Sequence, residues 1–290
     1  MKKLEIFQSL WGMELGHPTQ PERSHEENFR KVAEAGFDGI CLDPTMADLD
    51  YYRETIPLFE KYQLKSMVNL FPRRASEMKP LLEFAREVKA VKVNTVAQVM
   101  PVSVAGAIPL INRWLQEAEE MGIQLLFETH RNGILNDLFF TLEVIDAIPE
   151  LLLTADLSHF VVDRELELPL RELDKGFINR IHERTDCFQG RVATREQIQI
   201  QLDFPQHQEW VNVFKDWWRE GMRSWRNRNT DDATCVFVCE LGPPNYAITD
   251  AHGLELSDRW VEALTIKNWV EGIWAQLESE DSQLRTTESS

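Results

Sequence analysis

No stretch of this 290-residue chain reaches the roughly 18 continuous apolar residues of a membrane-spanning helix. Positive charge is also scarce. Lys and Arg total 31 against 48 Asp and Glu, and the resulting net charge of -17 repels nucleic acid and anionic lipid. The four cysteines, Cys41, Cys187, Cys235 and Cys239, show no CxxC spacing. That argues against a thiolate metal site or a disulfide framework, and four packed, reduced thiols are expected. A Gly-rich phosphate cradle is missing too. The opening MKKLEIFQSLWG carries two lysines, but Gly12 arrives too early for a signal peptide's apolar run, so a cytoplasmic location is expected.

What is present is a regular alternation of strand-like and helix-like segments, the grammar of a parallel α/β architecture. Eight strand candidates can be counted: Leu4–Trp11, Gly39–Asp43, Lys65–Leu70, Ala90–Thr95, Ile123–Glu128, Leu151–Asp156, Ile178–Arg184 and Thr234–Glu240. Helical stripes lie between them, as in HEENFRKVAEAGF, where Phe29, Val32 and Ala33 share a face and Gly36 supplies a stop. Eight such pairs within residues 1–276 predict one (β/α)8 TIM barrel domain. The spacing between His182 and Glu240 is too long for one unit, which places an insertion after strand seven, at about residues 188–215. It would lie over the active face as a lid or wall, while Trp217, Trp218 and Trp225 in the following helix read as ordinary packing. The polar, aperiodic stretch 277–290 reads as a frayed tail.

Four apolar runs end on residues able to hold a metal: Glu128 in LLFETH, Asp156 in LLLTADLSHF, His182 in FINRIHER and Glu240 in CVFVCELGPP. In a barrel the C-terminal strand ends converge on one cavity. Alternation places Leu126 below Glu128, and Val238 and Val236 below Glu240, so both glutamates would cap apolar columns. Unpaired carboxylates there would be costly, and a cation removes the cost. Three carboxylates and one imidazole form a hard, oxygen-rich set that favours Mn2+, with Mg2+, Co2+ or Zn2+ as alternatives. Any one of these acids alone reads better as a helix cap or an ion-pair partner; four at four strand ends change the balance.

The order ETH, ADLSH, IHER and CELGPP resembles the xylose-isomerase-like barrel superfamily, in particular its sugar phosphate isomerase/epimerase branch with the ketose 3-epimerases. The resemblance runs to about Gln276. It implies that Glu128, Asp156, His182 and Glu240 bind one divalent metal and that His159, three residues after Asp156, contacts substrate. It further implies proton transfer by Glu128 and Glu240 through a metal-stabilised enediolate. After the strand-seven histidine, ERTDCFQGRVA gives no match to the family's usual substrate-binding residue.

Other residues near the strand ends have weaker assignments. His130 and Arg131 follow Glu128, and Arg131 could grip a carboxylate or phosphate with two prongs or pair with Asp137. Arg184 shares the phase of His182 and could reach substrate or neutralise the site's own acids. The expected partner is a small sugar or sugar acid, and the Trp-rich helix could bury against a second copy in a homo-oligomer. The expected function is a metal-dependent sugar isomerase or epimerase, with two alternatives: a metal-dependent lyase or dehydratase on a sugar or cyclic polyol, or a non-catalytic sugar-binding barrel. Cleavage of damaged DNA, found in the same superfamily, conflicts with the strongly acidic chain.

Overall fold

The computed structural model describes the backbone of residues 2–288 and the side chains to Gln283. Eight parallel strands close into a barrel in sequence order: β1 Lys3–Ser9, β2 Gly39–Leu42, β3 Lys65–Leu70, β4 Lys92–Thr95, β5 Leu125–Glu128, β6 Leu153–Ala155, β7 Thr185–Gly190 and β8 Thr234–Cys239. The surrounding helices are α1 His25–Glu34, α2 Leu49–Arg53, α3 Ile56–Lys61, α4 Met78–Glu87, α5 Val104–Glu119, α6 Leu138–Ala147, α7 Leu157–Asp163, α8 Glu172–His182, α9 Gln208–Arg228 and α10 Arg259–Glu288. The expected TIM barrel is therefore the observed fold. Among the described residues, no helix is long and apolar enough to cross a membrane.

Strand alternation divides the apolar residues between two layers. Phe7, Cys41, Met67, Leu126, Cys187, Val236 and Val238 fill the barrel interior, while a larger cluster lies between strands and helices. The bottom of the barrel is closed by ion pairs between Lys65 and Glu5 and between Lys92 and Asp186, the latter at 2.6 Å. Gly39 is required by close approach, since a Cβ there would lie 2.3 Å from the Phe7 ring and 2.4 Å from the Lys65 carbonyl. All four cysteines are buried as free thiols.

Two expected elements take another form. FINRIH belongs to α8, because Ile178, Ile181 and His182 recur at helical spacing and form its buried face. The seventh strand is the more polar TDCFQG that follows. Residues 277–288 continue α10, with Leu277 buried. Glu280 and Asp281 pair with Arg219, Arg223 and Arg226 on α9, so charge complementarity orders what reads as a polar tail. Residues 289 and 290 lie outside the described residues.

The irregular loop after β7 runs from 191 to 204, with one 3-10 turn at Pro205–His207 before α9. Trp217, Trp218 and Trp225 are buried core residues of α9, and the Trp218 ring packs edge-on against Phe237 of β8 at 5.4 Å.

Candidate active site

Glu128 closes β5 and is 3 % exposed, with Leu126 beneath it in the barrel. Its Oε2 accepts hydrogen bonds from Asn94 Nδ2 at 2.6 Å and Gln189 Nε2 at 2.9 Å. Asp156 follows β6 as the N-cap of α7, and its Oδ1 accepts from the Ser158 backbone N–H at 3.0 Å and from the Ser158 hydroxyl. Thr129 locks this corner: its hydroxyl donates to the Asp156 carbonyl and accepts from the Asp156 N–H, both at 3.0 Å. Glu240 follows β8 above Val238 and Val236. Ligand atoms of Glu128, Asp156 and Glu240 all lie within 4.8 Å of one another, so three strand ends converge as alternation requires.

His182 does not join them. It ends α8, and the turn that follows leads into the start of β7, at the opposite face of the barrel. Its ring is buried beneath α9, where a Cβ on Gly221 would lie 2.7 Å from Nδ1. Burial, reinforced by Arg228, pushes its pKa down to about 3, so it is a neutral packed imidazole. Arg184 occupies the same turn and donates to the Pro149 carbonyl, away from the cavity. The physical reason for both displacements is the same: the strand begins at Thr185, one segment later than the apolar run.

The true β7 brings two different residues to the site. A register shift against β6 sets Cys187 opposite Thr154 and leaves Asp186 unpaired, after which Cys187 and Gln189 face the barrel. Gln189 takes the position expected of the histidine, with its Oε1 buried and without a partner. Arg191 comes next on the same side and is 1 % exposed. Its guanidinium donates to the Glu240 carbonyl at 3.0 Å and to Glu240 Oε2 at 2.9 Å, and Nη1 lies 3.4 Å from Asp156 Oδ2. The rings of Tyr246 and Trp11 cover it at 4.7 and 6.0 Å. Sequence reasoning missed both residues because no apolar run leads to them; the alternation of Cys187 and Gln189 around outward-facing Phe188 was the available signal.

The electrostatics follow from crowding acids in a buried place. Burial, with Asp156 adding to it, pushes the Glu128 pKa up to about 8. Burial also raises Glu240 well above the carboxylate range, against the opposing pull of Arg191, and Asp43 rises to about 7 for the same chief reason. One guanidinium does not balance this many carboxylates. The His130 and His159 rings lie 3.9 Å apart, tilted at 46°, and burial lowers both pKa values well below the ordinary histidine value. His159 is fully buried with both ring nitrogens unpartnered, one of them 3.5 Å from Asp156 Oδ2. His130 Nδ1 accepts from the Asn132 N–H at 3.0 Å. Arg131 is exposed at the mouth, 5.7 Å from the Tyr246 ring, while Asp137 caps α6 and pairs with Arg164 instead. Above these groups opens a cavity of 680 Å³ lined by Glu128, Glu240, Arg191, His130, Asp43 and Tyr246 among others.

No protein-family model matches the chain, and no curated protein does. Among solved structures, D-allulose 3-epimerase from Methylomonas sp. superposes with a TM-score of 0.58 at 15 % identity, covering 96 % of this chain and 99 % of that one. The same enzyme in complex with D-allulose gives 0.58 at 13 % identity, covering 95 % and 98 %. The probable 3-DHS dehydratase AsbF from Bacillus anthracis gives 0.51 at 16 % identity, covering 84 % and 94 %.

The fold is a (β/α)8 TIM barrel, the fold of those solved structures. The donor set at its mouth fits a divalent cation. Each of the three acids commits one oxygen to the protein: Glu128 Oε2, Asp156 Oδ1 and Glu240 Oε2. Asp156 Oδ2 is buried without a hydrogen bond, and among the described residues the side-chain hydrogen bonds to Glu128 and Glu240 fall on Oε2. Three carboxylates in a buried cluster are hard ligands, and the single charge of Arg191, which lies against Asp156 and Glu240, does not balance them. The neutral amide of Gln189 stands where an imidazole was expected.

Proposed function

We propose that the chain is a divalent-metal-dependent isomerase or epimerase of a sugar or sugar derivative. The observation that carries this reading is the convergence of Glu128, Asp156 and Glu240 from three strand ends, each with an oxygen left over, under a cavity large enough for a monosaccharide. These three residues would hold the cation; Mn2+ is the favoured ion because the set is oxygen-rich. When bound, it would supply the Lewis acidity that stabilises an enediolate between a carbonyl and its neighbouring hydroxyl.

The chain's own residues account for the remaining chemistry. Glu128 and Glu240, delivered by two different strand ends, move the proton, one as base and the other as acid. Asn94 and Gln189 fix the orientation of Glu128, and Arg191 fixes that of Glu240. Trp11 and Tyr246 shield the Arg191–Glu240 pair from water, which strengthens it. His130 and Arg131, at the rim, are placed to contact substrate hydroxyls or an acid group. The sugar complex of the structurally similar epimerase supports a small neutral sugar as substrate. The similarity to a dehydratase supports a second reading, in which loss of a β-hydroxyl follows the same proton abstraction.

Metal analysis and thermal unfolding of protein purified without added metal test the proposal. Near-stoichiometric metal, or a clear rise in Tm on adding Mn2+, is the expected result. Trace metal with an unchanged Tm would remove the metal and leave a sugar-binding barrel.

A further inference from the structure

The 680 Å³ cavity falls in the range of those that take drug-sized ligands, so a single sugar ring at the catalytic glutamates leaves part of it open. Its two sides have different walls. In a closed eight-strand barrel β1 and β2 stand across from β5 and β6, the strands that lead to Glu128 and Asp156. The far wall comes from the loops after β1 and β2 with the helices they enter: Glu14, Glu22 and Asp48, and the rings of His25, Tyr51 and Tyr52.

The far wall is acidic and not neutralised from within. Among the described residues none of Glu14, Glu22 and Asp48 has an ion-pair partner, and burial, with the charges of Glu22 and Asp48 adding to it, raises the Glu14 pKa. Arg23, in the same wall, directs its donors to neutral groups, the Asn28 side-chain oxygen at 2.8 Å and the Met13 carbonyl at 3.1 Å. A second observation is independent of this charge. Asp43, which follows β2 and lines the cavity, accepts from Asn69 on Oδ1 at 2.9 Å, while its Oδ2 is buried without a hydrogen-bond partner. A donor from a ligand would satisfy it. The rings supply a third: His25 and Tyr51 lie 4.4 Å apart, and Tyr51 and Tyr52 meet edge to face at 5.2 Å, a continuous aromatic surface beside the acids. Ring faces attract an organic cation and pack against the carbon next to it.

We propose that this wall is a subsite for a positively charged amino group, so that the substrate is a sugar carrying an ammonium at the end away from the reacting carbonyl. The assignment rests on the reading of the cavity as a sugar site and extends it from a plain sugar to an amino sugar. The carbonyl end lies at Glu128 and Glu240, and the ammonium lies across the barrel, where it donates to Glu14, Asp48 and the free oxygen of Asp43. The same acids repel a phosphate or carboxylate at that end, which excludes phosphorylated sugars of this length.

The test is calorimetric titration of Mn2+-loaded protein at neutral pH with three compounds on one carbon skeleton: D-glucitol, 1-amino-1-deoxy-D-glucitol and its N-acetyl derivative. The amine should bind at least about tenfold more tightly than either neutral compound, and added salt should shrink the difference. The double variant Glu14→Gln, Asp48→Asn should reduce it to below about threefold, with D-glucitol as the reference. Removing two acids that repel each other should leave Tm unchanged or raised. Tyr51→Leu, at an exposed position, should also reduce the preference for the amine, and it decides the matter if the double variant fails to fold. Equal binding of the amine and D-glucitol would overturn the subsite and leave the sugar reading standing. A preference that persists in the double variant and in Tyr51→Leu would place the ammonium elsewhere in the cavity and overturn the assignment. Binding of none of the three would count against the sugar reading itself and overturn the subsite with it.

Discussion

Replacing Arg191 by Gln isolates the charge balance of the site. The side chain is 1 % exposed, and its guanidinium lies 2.9 Å from Glu240 Oε2 and 3.4 Å from Asp156 Oδ2. Removing it leaves two carboxylates in a place already crowded with negative charge. Breaking a buried pair in this way costs about 3–5 kcal/mol, because the remaining ion stays unpaired. At about 2 °C per kcal/mol for a chain of this size, Tm should fall by about 6–10 °C. The penalty has a sign in pH: it is largest where the acids are ionised and shrinks as pH falls and they take up protons. A divalent cation should reverse it, because the variant has gained ligand oxygens and lost a competing charge; at about 100 times Kd the ion alone contributes about 2.7 kcal/mol. Differential scanning calorimetry of wild type and R191Q, each with and without Mn2+ at several pH values, measures all three effects. A variant within about 2 °C of wild type in Tm, equally responsive to metal, would refute the reasoning.

Three further perturbations test the assignment of parts. His182→Asn should leave metal stoichiometry and turnover unchanged, because the ring is packed beneath α9 on the far face of the barrel; loss of a bound metal equivalent would return it to the site. Gly221→Ala should lower stability by about 1–2 kcal/mol, since overpacking outweighs the gain in helix propensity. The added Cβ would meet Phe188 at 2.5 Å and the His182 ring at 2.7 Å, and an unchanged or raised Tm would show that α9 has room to move. Glu262 accepts the Leu202 N–H at 2.8 Å, and burial raises its pKa to about 7. A folded-state pKa above the unfolded one means the native state binds more protons between about 4.5 and 7, so this group erodes stability as pH rises through that window. Glu262→Gln should flatten that slope in urea titrations, and an unaltered slope would assign it elsewhere.

The legibility of the site in the sequence followed the apolar columns. Glu128 and Glu240 each end a run whose alternate residues fill the barrel, so their position at the cavity could be read. Asp156 ends a short strand and caps the next helix, two local signals that agree. The seventh strand broke the pattern. TDCFQG is polar at two inward positions because Asp186 pairs with Lys92 and Gln189 with Glu128, contacts made across the barrel that no local pattern contains. The apolar residues nearby, Ile178 and Ile181, belong to a helix face instead. Reading them as a strand drew His182 and Arg184 toward the cavity and concealed Gln189 and Arg191. The tail was misread for a related reason: Glu280 and Asp281 look solvated until the arginines of α9 are placed beside them.

The central claim is that Glu128 and Glu240 move a proton on a sugar held above the metal ligands. Incorporation of solvent deuterium into carbon, followed by NMR or mass spectrometry across a panel of ketoses, aldoses and sugar acids with Mn2+ present, measures it directly. The account predicts label at a carbon next to a carbonyl in at least one sugar, lost in Glu240→Gln and in metal-stripped protein. Exchange that survives both, or a panel without label while sugars still bind, would contradict it.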